Sequence, residues 1–303
     1  MAGFDRNKVR EALNGISGIL VTPYDSKGEI APDRLSPIVD RAVDAGVHVL
    51  VANGNTSEYY SLRQKESEAM VAAVAKAVKD RVPVLGGVGR GIYDACDLAR
   101  ASVDAGVDAL MLHQPPDPFV APRGILAYVE AIARAAANVP LVLYLRNENI
   151  GIKTIVELCQ ISQVVGVKWA SPTPVLLAEA IRETRDCDIA WVGGLAETWA
   201  PAFYAAGARG FTSGLINVFP EKSVDIHRAL EGADYETARS LIEAVLPFEE
   251  LRSQENNGTN VTVVKAALQL MGNDCGATRP PSAWPMTEPS LVTLKKLVET
   301  LKA

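Results

Sequence analysis

Short apolar runs rich in valine, isoleucine and leucine recur along most of the chain. They begin near Gly18, Val47, Val82, Val107, Val139, Val164, Ile189 and Ala208. The runs are continuous rather than alternating, which suits parallel strands covered on both faces. Steps of about 20 to about 36 residues separate them, the size of one strand plus one helix. Between them lie alanine-rich segments with helical periodicity: Asp33–Ala45, Gln64–Asp80, Tyr93–Ala105, Arg123–Asn138 and Val175–Arg185. Three helices close alike, on Asp44-Ala45-Gly46-Val47, Asp104-Ala105-Gly106-Val107 and Ala205-Ala206-Gly207-Ala208. Glycine there can take the left-handed conformation that stops a helix, and the next strand starts at once.

Eight strand signals, seven intervening helix signals and an eighth helix over Pro220–Glu231 predict an α/β fold, the (β/α)8 TIM barrel. The competing arrangement is an open doubly wound sheet. It favours a glycine-rich nucleotide loop after an early strand, and none follows Leu20. Gly86-Gly87-Val88-Gly89-Arg90-Gly91 lacks both the GxGxxG spacing and the P-loop lysine, so it reads as close backbone packing at a strand end. Helical pattern continues over Tyr235–Arg252, Asn260–Met271 and Ser290–Leu301. The expected division is a catalytic barrel over residues 1–231 and a C-terminal helical region over 232–303 packed on it.

Composition narrows the functional classes. Apolar residues make up 48% and charged residues 22%, ordinary for a soluble globular protein. The net charge of -6 comes with no basic stripe, so nucleic acid is not an expected partner. Cys96, Cys159, Cys187 and Cys275 lie far apart with no CxxC, as reduced thiols do, and suggest neither a disulfide frame nor a zinc site. No apolar run approaches the ~18 residues that span a membrane. Met1–Gly15 lacks the apolar core of a signal peptide, so the expected location is the cytoplasm.

In a barrel, chemistry gathers at the C-terminal ends of the strands. That rule singles out Asn55-Thr56-Ser57, His113-Gln114-Pro115-Pro116, Tyr144-Leu145-Arg146-Asn147, Lys168-Trp169 and Thr212-Ser213-Gly214. Lys168 ends the apolar run Val164-Val165-Gly166-Val167. Burial there disfavours an ammonium and yields the free amine that attacks a carbonyl; the bland alternative is a lysine paired with a carboxylate or snorkelling to the rim. Lys265, in Val261-Thr262-Val263-Val264-Lys265, is the weaker competitor, expected on a helix flank. Tyr144 is either a proton relay in the mouth or a core tyrosine with a satisfied hydroxyl. Asn55-Thr56-Ser57 offers donors suited to a carboxylate, or is simply turn chemistry. The scattered His48, His113 and His227 form no HxH or HExxH, which leaves a metal-dependent aldolase without support, and no GxSxG marks a serine hydrolase.

In this order the segments resemble the dihydrodipicolinate synthase/N-acetylneuraminate lyase family, the pyruvate-type class I aldolases. The resemblance starts at Gly18-Ile19-Leu20-Val21-Thr22-Pro23-Tyr24 and continues through Gly54-Asn55-Thr56-Ser57-Glu58-Tyr59-Tyr60-Ser61-Leu62. It includes Tyr144 and Lys168, 24 residues apart, and ends with Asn260 to Lys265 and Arg279-Pro280-Pro281. It implies an imine between Lys168 and the keto group of a 2-oxo acid, and Tyr144 as proton shuttle positioned by the strand-two hydroxyls. Thr56 and the Asn55–Thr56 backbone would hold the 2-oxo acid's carboxylate, with Thr212 and Ser213 as a strand-eight contact. No cofactor is implied, and the assembly would be a homotetramer built from dimers, Asp117-Pro118-Phe119 lining the dimer contact.

Departures bear on the substrate. Dihydrodipicolinate-forming members have a hydroxyl residue where Asn55 stands, and their Y-N-V-P-x-R-T-G segment becomes Tyr144-Leu145-Arg146-Asn147-Glu148-Asn149-Ile150-Gly151. The arginine that clamps their aldehyde substrate thus falls on Asn149, with Arg146 the candidate substitute. Pro115-Pro116 replaces their tyrosine pair. These features look closer to the branch that dehydrates 5-dehydro-4-deoxyglucarate. The expected activity is a Schiff-base lyase, a dehydratase or retro-aldolase of a 2-oxo-3-deoxy sugar acid, with Asn55, Thr56, Ser57, Arg146, Asn149, Thr212 and Ser213 as substrate-binding residues. The alternatives are a 4-hydroxy-tetrahydrodipicolinate synthase and a non-catalytic 2-oxo acid binding protein.

Overall fold

Residues 5–146 and 150–302 are described by the structure, a computed structural model. Eight parallel strands close a barrel in sequence order: β1 (Ile16–Ile19), β2 (Val49–Ala52), β3 (Val84–Val88), β4 (Ala109–His113), β5 (Leu141–Leu145), β6 (Val164–Trp169), β7 (Ala190–Gly193) and β8 (Gly210–Ser213). Helix α1 (Arg6–Ala12) precedes them. The surrounding layer is α2 (Ser36–Ala45), α3 (Gln64–Val78), α4 (Ile92–Asp104), α5 (Pro122–Ala135), α6 (Ile152–Cys159), α7 (Pro174–Glu183), α8 (Ala196–Ala206) and α9 (Pro220–Glu231). Gly46, Gly106 and Gly207 take φ of 96°, 82° and 113°, the left-handed stops that their repeated signature anticipates.

Two apolar cores follow from strands buried on both faces. Ile19, Val49, Val51, Leu85, Met111, Val142, Val165 and Val192 fill the barrel itself, and Val9 and Leu13 from the α1 segment join them. That helix has too short a polar–apolar repeat to stand out in the sequence. It is set by Asp5, whose side chain accepts from the Lys8 N–H at 2.9 Å. The second core lies between strands and outer helices.

After the barrel come α10 (Tyr235–Asn257), α11 (Asn260–Leu270) and α12 (Glu288–Lys302). α10 packs on α8 and α9, and α11 and α12 pack on α10. Non-helical dihedrals at Gln254, Glu255 and Asn256 break α10 just past Arg252, where the sequence pattern also fades. The break lets the chain turn and carry α11 over the mouth. No helix among the described residues is long and apolar enough to cross a membrane.

Candidate active site

Strand register assembles the centre. His113 pairs with Tyr144, and Tyr144 with Lys168, so three neighbouring strands place these side chains at one level. The Lys168 Nζ lies 4.0 Å from the centre of the Tyr144 ring. Burial strips water from the ammonium and the nearby Arg146 guanidinium repels it, lowering the Lys168 pKa from 10.5 to about 7. No carboxylate pairs with it among the described residues, in contrast to Lys265. Burial also pushes the Tyr144 phenol up to about 12, so it is protonated at neutral pH.

The turn after β2 forms one wall. Asn53 and Glu58 bound it, both left-handed at φ 57°. Asparagine tolerates that conformation, whereas glutamate needs an external hold. The hold is Lys265, whose Nζ lies 2.7 Å from a Glu58 oxygen, together with the Arg279 N–H at 2.8 Å from the other. Within the turn, the Asn55 amide donates to the Tyr144 hydroxyl at 2.9 Å. Tyr144 is therefore held by an amide rather than by strand-two hydroxyls. Thr56 is buried and faces the mouth.

Ser57 does not. Its hydroxyl donates to the Leu20 carbonyl at 2.6 Å and accepts from the Gly54 N–H at 3.0 Å, so it braces the turn instead of meeting substrate. Ser213 is likewise engaged. Its hydroxyl donates to Glu197 at 2.5 Å, and Ser223 donates to the same carboxylate oxygen at 2.6 Å. Burial, then the Glu249 charge, raises the Glu197 pKa. Thr212 and Ser213 both line the mouth, but the Ser213 hydroxyl is already committed to Glu197. Lys265 is no flank residue either. Nearly every face of α11 is covered, and the side chain is buried in its pair with Glu58.

The mouth is a cavity of about 650 Å³. Asn55, Thr56, Tyr144, Arg146, Lys168 and Thr212 line its barrel side. Sequence reasoning missed the outer side: Trp199 on α8 and Glu249, Arg252 and Asn260 from the C-terminal helices. The periodicity of α10 shows a helix but carries no sign of which residue overhangs the mouth. Arg146 sits on the rim, its guanidinium carbon 5.9 Å from the Tyr144 ring centre. Asn147 and Asn149 lie outside the described residues. Phe119 is 92% exposed.

His113, at the end of β4, has a role that its isolated place in the sequence does not reveal. Its Nε2 lies 2.8 Å from the Asn53 carbonyl, which can only accept, so Nε2 carries the proton. Nδ1 then accepts from the Tyr60 hydroxyl at 3.4 Å. Complete burial drives its pKa down to about 3, so the ring is neutral and pins the turn beneath Tyr144. The glycine-rich stretch makes room for this packing: a Cβ on Gly87 would strike the Asn53 carbonyl, and one on Gly89 the His113 side chain. Among the described residues, no group of three or more His, Cys, Asp and Glu could hold a metal ion.

Comparison with known proteins shows the family and the fold. The model of the dihydrodipicolinate synthetase family matches residues 12–302. A probable 5-dehydro-4-deoxyglucarate dehydratase of Allorhizobium ampelinum is 31% identical over 98% of this chain and 99% of its own. A protein of Halalkalibacterium halodurans named 4-hydroxy-tetrahydrodipicolinate synthase 2 is also 31% identical, over 93% of this chain and 96% of its own. A crystal structure of dihydrodipicolinate synthase from Oceanobacillus iheyensis superposes with a TM-score of 0.93 at 34% identity, covering 98% of this chain and 99% of that one.

Proposed function

The chain belongs to the dihydrodipicolinate synthetase family of aldolase-type lyases, and we propose that within it the protein dehydrates, or cleaves by retro-aldol reaction, a hydroxylated 2-oxo acid through an imine on Lys168. The observation that carries the proposal is the buried Lys168, with its pKa near 7, set against the protonated Tyr144 at the barrel mouth.

The steps follow from those two states. The free amine adds to the keto carbon, and the carbinolamine oxygen leaves as water with the Tyr144 proton. The phenolate so formed can take a proton from the adjacent carbon, and the imine accepts the electron pair as an enamine. If the next carbon carries a hydroxyl, the enamine pushes it out, protonated by Tyr144, as water. Hydrolysis of the imine then returns the amine. Asn55 holds the Tyr144 oxygen throughout. Thr56 and Thr212 are proposed to receive the 2-oxo acid, and Arg146 a distal carboxylate.

The family's aldehyde-clamping arginine aligns with Asn149, and a neutral amide lacks the charged fork that clamps a second carboxylate there. This favours a sugar acid over aspartate semialdehyde, in keeping with the name of the Allorhizobium relative. The test is the ratio of kcat/KM for a 2-oxo-3-deoxy sugar acid to that for pyruvate with aspartate semialdehyde. A ratio well above one is expected. Efficient condensation without sugar-acid turnover would instead assign the synthase reaction, and pyruvate binding without any turnover would leave a binding protein.

A further inference from the structure

One buried lysine takes no part in the steps above. Lys265, on α11, has its Nζ 2.7 Å from a Glu58 oxygen and donates to the Ala277 carbonyl at 3.3 Å. Its ammonium lies 4.0 Å from the centre of the Tyr24 ring, and the Arg279 guanidinium lies 4.3 Å from the same ring. Arg279 in turn donates to both Glu66 oxygens at 2.7 Å, and the Tyr24 N–H donates to the Cys275 carbonyl at 2.9 Å. The segment after α11 is thereby stitched to the back of the turn that follows β2. Two charges taken out of water gain little net stability from each other. What such a pair can fix is a geometry.

The geometry it fixes is that of Glu58, at φ 57° and ψ 34°. A residue other than glycine stays in that region only where its surroundings over-determine it. The Glu58 N–H donates to the Asn55 carbonyl at 3.0 Å, and the Asn55 amide donates to the Tyr144 hydroxyl at 2.9 Å. One ion pair, one backbone bond and one amide bond therefore join Lys265 to the Tyr144 oxygen. Lys168 stands outside this path, since β6 carries it in register with β5.

We propose that Lys265 and Glu58 are positioning residues, which set the Tyr144 hydroxyl against the Lys168 imine through the backbone and amide of Asn55. This rests on the reading of Tyr144 as the group that moves protons at that imine. A misplacement of about 1 Å that originates far from the reacting atoms can cost about a hundredfold in rate. The C-terminal region then governs the proton-transfer half of the site and leaves the amine half alone.

The test pairs Lys265→Met with Glu58→Gln, which removes the ion pair without stranding a charge, so that the double variant is expected to fold. Imine formation with pyruvate is followed by borohydride trapping and mass spectrometry from pH 5.5 to 10. At every pH the double variant should form imine about ten- to a hundredfold more slowly than wild type. The bend near pH 7 that belongs to Lys168 should not move. Asn55→Ala should cost as much, and the triple variant no more than either. Wild-type imine formation in a folded double variant would overturn the proposal. So would a bend displaced upward, which marks a loosened barrel that lets water reach Lys168. Losses that multiply in the triple variant would also overturn it, because the pair and Asn55 would then act independently. If wild type itself traps no imine, the Lys168 reading fails. The ¹⁵N resonance of the Asn55 side-chain amide, which reports its bond to Tyr144 without turnover, then decides: it should shift in the double variant, and an unmoved resonance would refute the positioning role.

Discussion

The depressed pKa of Lys168 makes a kinetic prediction that can be worked through. At pH 7 a lysine with the ordinary value of 10.5 holds about one amine in three thousand unprotonated, whereas a value of about 7 frees about half. The buried site therefore presents about a thousandfold more nucleophile at neutral pH. Two groups act on the ammonium in opposite senses. The Tyr144 ring face at 4.0 Å favours it, and the Arg146 guanidinium repels it. The perturbation is Arg146→Gln, which removes the repulsion and leaves the burial. The assay is the second-order rate constant for borohydride-trappable imine at sub-saturating pyruvate, from pH 5.5 to 10. For wild type the rate should rise with pH and bend near 7. In Arg146→Gln the bend should move upward, toward but not reaching the ordinary lysine value. A wild-type rate that climbs steadily to pH 10 would refute the reasoning, because it would mean that Lys168 is solvated or paired in solution.

Other predictions concern neighbouring parts of the molecule. Tyr144→Phe should lower turnover about 10²- to 10⁴-fold while leaving a slowly formed Lys168 adduct detectable by mass spectrometry; unchanged turnover would remove Tyr144 from the mechanism. Lys265→Met strands the Glu58 charge in the interior and should cost about 3–5 kcal/mol in urea unfolding, with much of that recovered in the double variant with Glu58→Gln; a loss within error of zero would mean that the pair contributes nothing to the fold. His113 and His227 are buried neutral, with pKa values depressed to about 3 and about 4 from 6.5. The unfolded chain binds their protons first as pH falls, so the stability they contribute is complete above about 6.5 and drains away toward pH 4. Tm should fall between pH 7 and 5, less steeply in His113→Gln, which can still donate to Asn53; parallel profiles would exclude His113 as a source of the slope.

The barrel was legible because its signal is repeated. Continuous apolar strands recur eight times at regular spacing, three of the helices between them end on the same glycine stop, and each copy supports the others. Lys168 and Tyr144 were legible because a charged or phenolic side chain at the end of an apolar strand has few places to go. The supporting shell was less so. Ser57 and Ser213 look like ligand hydroxyls in one dimension, but their bonds to the Leu20 carbonyl and to Glu197 depend on elements far away in sequence. Lys265 read as a helix flank because the elements covering α11 are distant in sequence. Arg252 gave no signal at all, since the register of α10 over the mouth is set by packing on α8 and α9.

The Glu58–Lys265 pair has a consequence for the order in which a growing chain becomes competent. All eight strands have been made once Ser213 is synthesised, and the lysine and tyrosine of the centre are already in place. The turn carrying Asn55 and Thr56 still lacks its brace, because Lys265 and Arg279 come later from the ribosome. Such long sequence separations close slowly. A nascent barrel thus has Lys168 and Tyr144 on its strands while the turn beside them is slack. The turn after β2 gains its brace only when the last quarter of the polypeptide has been made, so a truncated chain ending at the barrel lacks the contacts that hold Glu58.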